Sequence, residues 1–216
     1  PRPSSNYIAY IELDSGLDAG VDIWTGSNWS PTTPPTADLS LETALYRDID
    51  CIWEKDSGRA IFVFGDLNIK GITYCGYSVS LNQWINPADN TPLSSNALEN
   101  APDYLITGQN YDCNFIELEA DPNQNKIIAK VIDQGGELLT INWSGTASGG
   151  SWSNPNKPTS ALAVVTRECA DVTLDKHDID IPTLTDNQTG DNTWRNANTG
   201  IYNVDFADSG GSYLDK

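Results

Sequence analysis

Residues 49–84 run Ile49-Asp50-Cys51-Ile52-Trp53-Glu54, Asp56-Ser57-Gly58, Ala60-Ile61-Phe62-Val63-Phe64, Ile72-Thr73-Tyr74-Cys75-Gly76-Tyr77 and Asn82-Gln83-Trp84. The apolar and β-branched runs are short, and Asp/Ser/Gly or Asn punctuation separates them. That pattern predicts three strands joined by tight turns and closed by a tryptophan-bearing turn. Ala60–Phe64 is apolar throughout, as expected of a strand covered on both faces.

Outward from this stretch the pattern repeats. Asn114-Phe115-Ile116-Glu117-Leu118-Glu119, Asp121-Pro122-Asn123, Lys126–Val131, Leu138–Trp143 and Gly150-Ser151-Trp152 follow the same order. The N-terminal Tyr7–Ile11, Val21-Asp22-Ile23-Trp24 and Gly26-Ser27-Asn28-Trp29 match only the second half of such a unit. Another unit opens at Asp171-Val172-Thr173-Leu174 and then departs from the pattern. Trp29, Trp84 and Trp152 mark the period, at steps of 55 and 68 residues. A period of this size means supersecondary units stacking on one another.

The reading is therefore all-β: β-propeller-like blades forming an incomplete propeller, or stacked antiparallel sheets, with a C-terminal β extension. Residues 1–168 are expected to form the repeat domain and 169–216 the extension. The stretch from Leu39 to Leu45 is the best helical candidate, and it is short. Proline-rich loops follow each marker, at Ser30–Pro35, Asn86–Asn90 and Ser153–Pro158. They are expected to stay out of the sheets, because proline lacks the N–H that a ladder needs.

Composition narrows the function classes. Lys and Arg number 12 and Asp and Glu 30, giving a net charge of −18. That excludes nucleic acid as an expected partner, since phosphate binding needs clustered bases. It also disfavours anionic membrane surfaces, and no apolar run is long enough for a transmembrane helix. The chain opens on Pro1 and holds no Met, which suggests a processed product or a fragment.

Cys51, Cys75, Cys113 and Cys169 are even in number and contain no CxxC pair. They point to an exported protein with one or two disulfides, buried thiols being the alternative. Cys51 and Cys75 fall on the first and third strands of one unit. Cys113 and Cys169 precede the first strands of successive units. Sequons occur at Asn28, Asn142 and Asn187, and the first two lie in the repeated tryptophan motif, which accounts for them.

The run Tyr46–Asp50 through Glu54-Lys55-Asp56-Ser57-Gly58-Arg59 to Asp66, with Gly26-Ser27-Asn28-Trp29-Ser30, resembles propeller-type repeats of large bacterial cell-surface proteins of unassigned activity. Those repeats carry a DxxYE-x-x-SG-x-hydrophobic run and a W-x-G-x-x-W-S turn. The segment from Gly190 to Ser212 resembles a module that follows such repeats. The resemblance implies blade-like sheets and a surface location, and it implies no reaction.

Propellers close with 4–8 blades. Two full and two partial units fall short of that. The incomplete ends could complete each other, or complete a neighbour by strand exchange and so build a filament. The expectation is an extracellular, non-enzymatic structural or adhesive protein, associating with itself or with other surface proteins. A carbohydrate-binding propeller lectin is the alternative, with Trp24, Trp29, Asp22 and Asn28 as ligand residues: indole faces stack on pyranose rings and polar groups bind their edges.

A polysaccharide-acting hydrolase is the third reading. Ser148-Gly149-Gly150-Ser151-Trp152 grazes the Ser-x-Asp-x-Gly-x-Thr-Trp box of sialidase-type propellers but lacks its Asp. Asp48/Asp50 and Glu117/Glu119 are strand-spaced acid pairs that a glycosidase could use. His177, the single histidine, lies in a polar run and reads as solvated. Asp175, Asp178, Asp180, Asp186 and Asp191 are candidate calcium ligands in turn-rich surroundings, without the EF-hand spacing.

Overall fold

A computed structural model of the chain describes residues 2, 5–13, 19–30, 46–65, 71–93, 101–105, 112–159, 170–172, 183–185, 193–196 and 200–203. Every regular element among them is a β-strand. The first sheet is a two-stranded ribbon of β1 (Ile8–Leu13) and β2 (Ala19–Trp24). The second contains β3 (Ile49–Trp53), β4 (Arg59–Gly65), β5 (Gly71–Ser78), β6 (Gln83–Asn86) and β7 (Thr91–Pro92) in that order, with β8 (Asp103–Leu105) also on β5. The third contains β9 (Cys113–Ala120), β10 (Lys126–Asp133), β11 (Leu138–Thr146) and β12 (Gly149–Trp152), with β13 (Asn156–Thr159) also on β11. Two hairpins follow, β14 (Ala170–Val172) with β15 (Thr183–Thr185) and β16 (Thr193–Asn196) with β17 (Gly200–Asn203).

The three sheets stack in chain order. Alternation along β4 sends Ala60, Phe62 and Phe64 to one face and Ile61 and Val63 to the other. The first set joins Val21 and Ile23 of β2 in a core between the first and second sheets. The second set joins Ile116, Ala129, Val131, Ile141 and Trp143 in a core between the second and third. This explains the uninterrupted apolar run of β4: both of its faces are sealed. The blade-like reading holds, and among the described residues the sheets stack in series. The segment 39–45 lies outside the described residues.

The units also repeat in register. Each marker tryptophan sits opposite an aromatic residue on the long strand beside it: Trp29 bridges to Trp24, Trp84 pairs with Tyr77, and Trp152 pairs with Trp143. The rings meet edge to face in all three, with centroids 5.6, 5.3 and 5.2 Å apart. That geometry suits the quadrupoles of facing π systems.

Two expectations need correction. One proline-bearing segment does join a sheet: Asn156, within Ser153–Pro158, and Thr159 pair with Thr140 and Leu138, whereas residues 87–90 form turns and residues 31–35 lie outside the described residues. The added strand is short and pairs beside β12 on β11, where a proline can leave its missing donor off the ladder. The cysteine reading also changes. Cys51 and Cys75 are free thiols, and both align with Phe62 from opposite sides of β4. Two inter-strand spacings put their backbones roughly 9.5 Å apart, beyond disulfide reach. The Cys113 thiol donates to the Gly71 carbonyl oxygen at 3.2 Å, and Cys169 lies outside the described residues.

Candidate functional site

The ribbon β1–β2 has one sealed face and one open face. Tyr7, Ala9, Ile11, Val21 and Ile23 turn toward the second sheet. Period-two alternation then places Ile8, Tyr10 and Glu12 on the opposite face, in register with Trp24, Asp22 and Gly20. Trp29 is 51% exposed, and Tyr10 and Ile8 are each 43% exposed. The equivalent Trp84 and Trp152 are 6% and 8% exposed, because a neighbouring sheet covers them. Among the described residues, no sheet covers the face that carries Trp29.

The turn that presents Trp29 follows from its sequence. Thr25 donates from its backbone N and from Oγ1 to the Asn28 carbonyl, both at 2.8 Å, and Gly26 supplies φ +96°. A side chain at Gly26 would be strained at that φ and would crowd the Asn6 side chain. Trp29 then lies edge-on to Trp24 and to Tyr10, whose ring centroids are 5.6 and 5.8 Å away. The three rings form a corner open to solvent.

Carboxylates flank that corner. Tyr10 Oη donates to Glu12 Oε2 at 2.7 Å, which raises the Tyr10 hydroxyl pKa, chiefly through that hydrogen bond. Glu12 lies across Gly20, where an added Cβ would meet the Glu12 side chain at 3.0 Å. Asp22, between Glu12 and Trp24 on this face, accepts the Ile23 N–H on Oδ1 at 2.7 Å.

The structure therefore brings together three of the four residues expected from sequence: Trp24, Trp29 and Asp22. Asn28 serves the turn instead, with Nδ2 donating to Ser27 Oγ at 3.2 Å. Tyr10, Ile8 and Glu12 were not anticipated, although their alternate spacing is the signal that would have found them. Asp175, Asp178, Asp180, Asp186 and Asp191, and His177, lie outside the described residues.

The acid pairs have other occupations. Asp50 accepts the backbone N–H of Cys51 at 2.8 Å and of Leu118 at 2.7 Å, tying the second sheet to the third. Glu117 forms an ion pair with buried Lys130 on the adjacent strand. Asp48 is fully buried, and neither carboxyl oxygen has a hydrogen-bond partner. Burial pushes its pKa up to about 7.

A second polar cluster lies between the second and third sheets. Glu54 receives Arg59 in a bidentate pair, Nε–Oε2 at 2.7 Å and Nη2–Oε1 at 3.0 Å. Trp143 Nε1 donates to Glu54 Oε1 at 2.5 Å, and Ser57 Oγ donates to Oε2. Arg59 also reaches Asn90 Oδ1 at 2.9 Å and the Thr146 carbonyl at 2.8 Å. Arg59 and Glu54 are closed to solvent, so this cluster fastens the sheets together rather than meeting a ligand.

No protein-family model matches the chain, and no curated protein matches it. Among solved structures, the crystal structure of a point mutant of NanB sialidase from Streptococcus pneumoniae matches with a TM-score of 0.48 and 11% identity. The match covers 88% of this chain and 29% of that one, so this chain spans under a third of that structure's length. A likeness at that score carries no argument about function.

Proposed function

We propose that this chain is a non-enzymatic, extracellular adhesive module that binds carbohydrate through the open aromatic face of its first sheet. The observation that supports this is the contrast within one repeated motif. The same aromatic pair is sealed in the second and third sheets, as Trp84 with Tyr77 and Trp152 with Trp143, and open in the first, as Trp29 with Trp24. An indole face at half exposure offers the apolar side of a pyranose a stacking partner, and Asp22 and Glu12 offer acceptors to its hydroxyls.

A glycan array followed by calorimetry tests the reading. Trp29→Ala should weaken any bound oligosaccharide by about tenfold or more, the loss of about 1.4 kcal/mol. Its thermal unfolding should match the parent, because the ring lies largely outside the core. An array without signal, or a signal indifferent to Trp29→Ala, overturns it.

A second reading is assembly, with a further blade of like build seated on this face. The register equivalence favours it, since the same face of the second and third sheets receives a sheet. The polar half opposes it. Where the sealed faces carry Phe64 with Cys75, or Val131 with Ile141, the open face carries Glu12 with Asp22. Burying two carboxylates that face no described cation under an apolar sheet costs several kcal/mol. A mass that stays monomeric over a wide concentration range in sedimentation separates the two.

A further inference from the structure

Resting on the carbohydrate reading, we infer that the open face selects cationic amino sugars and rejects acidic ones. The charged groups described on that face, Glu12 and Asp22, are both carboxylates. Arg2 is turned to the other side of the ribbon, 6.0 Å from the Tyr7 ring centroid, and Tyr7 packs into the core facing the second sheet.

An acidic sugar seated on Trp29 would bring its carboxylate beside Glu12 and Asp22 with no described cation on that face to receive it. A protonated amine meets the opposite situation. Trp29, Trp24 and Tyr10 present π systems that attract an ammonium group, and two carboxylates stand within the same patch. Glu12 is held in place for this by the Tyr10 hydroxyl, which spends its proton on the carboxylate rather than on a ligand. The site so described is an anionic aromatic corner for a sugar bearing a free amine.

The test uses the full chain and three hexasaccharides: fully deacetylated glucosamine, its N-acetylated counterpart, and galacturonate. Titrations are run at about pH 6, where an amine of this type is protonated and surface carboxylates are ionised. The glucosamine hexamer should bind about tenfold more tightly than the N-acetylated one, and galacturonate should not bind. That advantage should vanish as salt is raised from about 0.01 to about 1 M and the screening length falls from roughly 30 to 3 Å.

The double variant Glu12→Gln with Asp22→Asn should lose the preference, binding the glucosamine hexamer no more tightly than the N-acetylated one. Asn at position 22 retains the oxygen that accepts the Ile23 N–H, so the ribbon keeps its bond. Equal or tighter binding of the neutral or the acidic hexamer overturns the inference and leaves carbohydrate binding standing. Failure of all three hexamers to bind also overturns the inference, while the carbohydrate reading falls only if the glycan array is silent as well.

Discussion

Asp48 is a carboxyl group without a partner, closed in beside Gly65 and Cys113 at the junction of the second and third sheets. Its pKa of about 7 lies above the ordinary aspartate value near 3.9. The folded chain therefore holds a proton that the unfolded chain releases. Its contribution to stability is complete below about pH 4 and is lost as the pH climbs through 7, at no more than about 1.4 kcal/mol per pH unit. Asp48→Asn should remove that fall. Urea midpoints measured from pH 4.5 to 8 should show the parent declining relative to the variant and the difference levelling off above neutrality.

Glu54 and Arg59 form the opposite kind of buried group, fully partnered. Glu54→Gln should cost about 3–5 kcal/mol in urea unfolding, because Arg59 then keeps its charge in a closed site with no carboxylate. Replacing both Glu54 and Arg59 with methionine should cost less than the single change, since no buried charge remains. A double variant worse than Glu54→Gln would deny the pair its role.

At the scale of the element, the strands were legible because alternation and turn chemistry agreed. The predicted runs at 49–54, 60–64 and 72–77 overlay β3, β4 and β5, and those at 114–119, 126–131 and 138–143 overlay β9, β10 and β11. The added strands β6, β7, β8, β12 and β13 were hidden, the tryptophan runs read as turns at 82–84 and 150–152 overlapping β6 and β12. They are two to four residues long, and two of them contain proline, so no periodicity announces them; tertiary pairing alone makes them strands. The aromatic corner was half legible. Trp24, Trp29 and Asp22 stood out by composition, but which face each strand turned outward depended on a second sheet that the sequence does not locate.

The tryptophans separate by position. Trp84→Ala and Trp152→Ala should each cost about 3–5 kcal/mol, as expected for a large ring removed from a packed core. Trp29→Ala should stay within about 0.5 kcal/mol of the parent. Gly145→Ala should also destabilise, because a Cβ there would overlap Glu54 Oε1 and displace the carboxylate from Arg59 and Trp143. Denaturant curves for the four variants check the ordering.

For the molecule as a whole, the second sheet is the keystone, with a core on each face. A chain beginning at Tyr46 would lack the ribbon and bare Phe62, Phe64, Tyr77 and Trp84. It should bind the dye ANS far more strongly than the full chain and aggregate at concentrations the full chain tolerates. An equally soluble, dye-silent truncation would show that the ribbon is not part of the packed body.

The recurring ring pair has an evolutionary corollary. A joint that is rebuilt each time from a tryptophan and a facing aromatic ring makes neighbouring units interchangeable in mechanical terms. Stability then accrues link by link, as in other tandem architectures. Lengthening by one duplication event needs only a donor segment that ends in the same tryptophan turn, with the older joints left untouched.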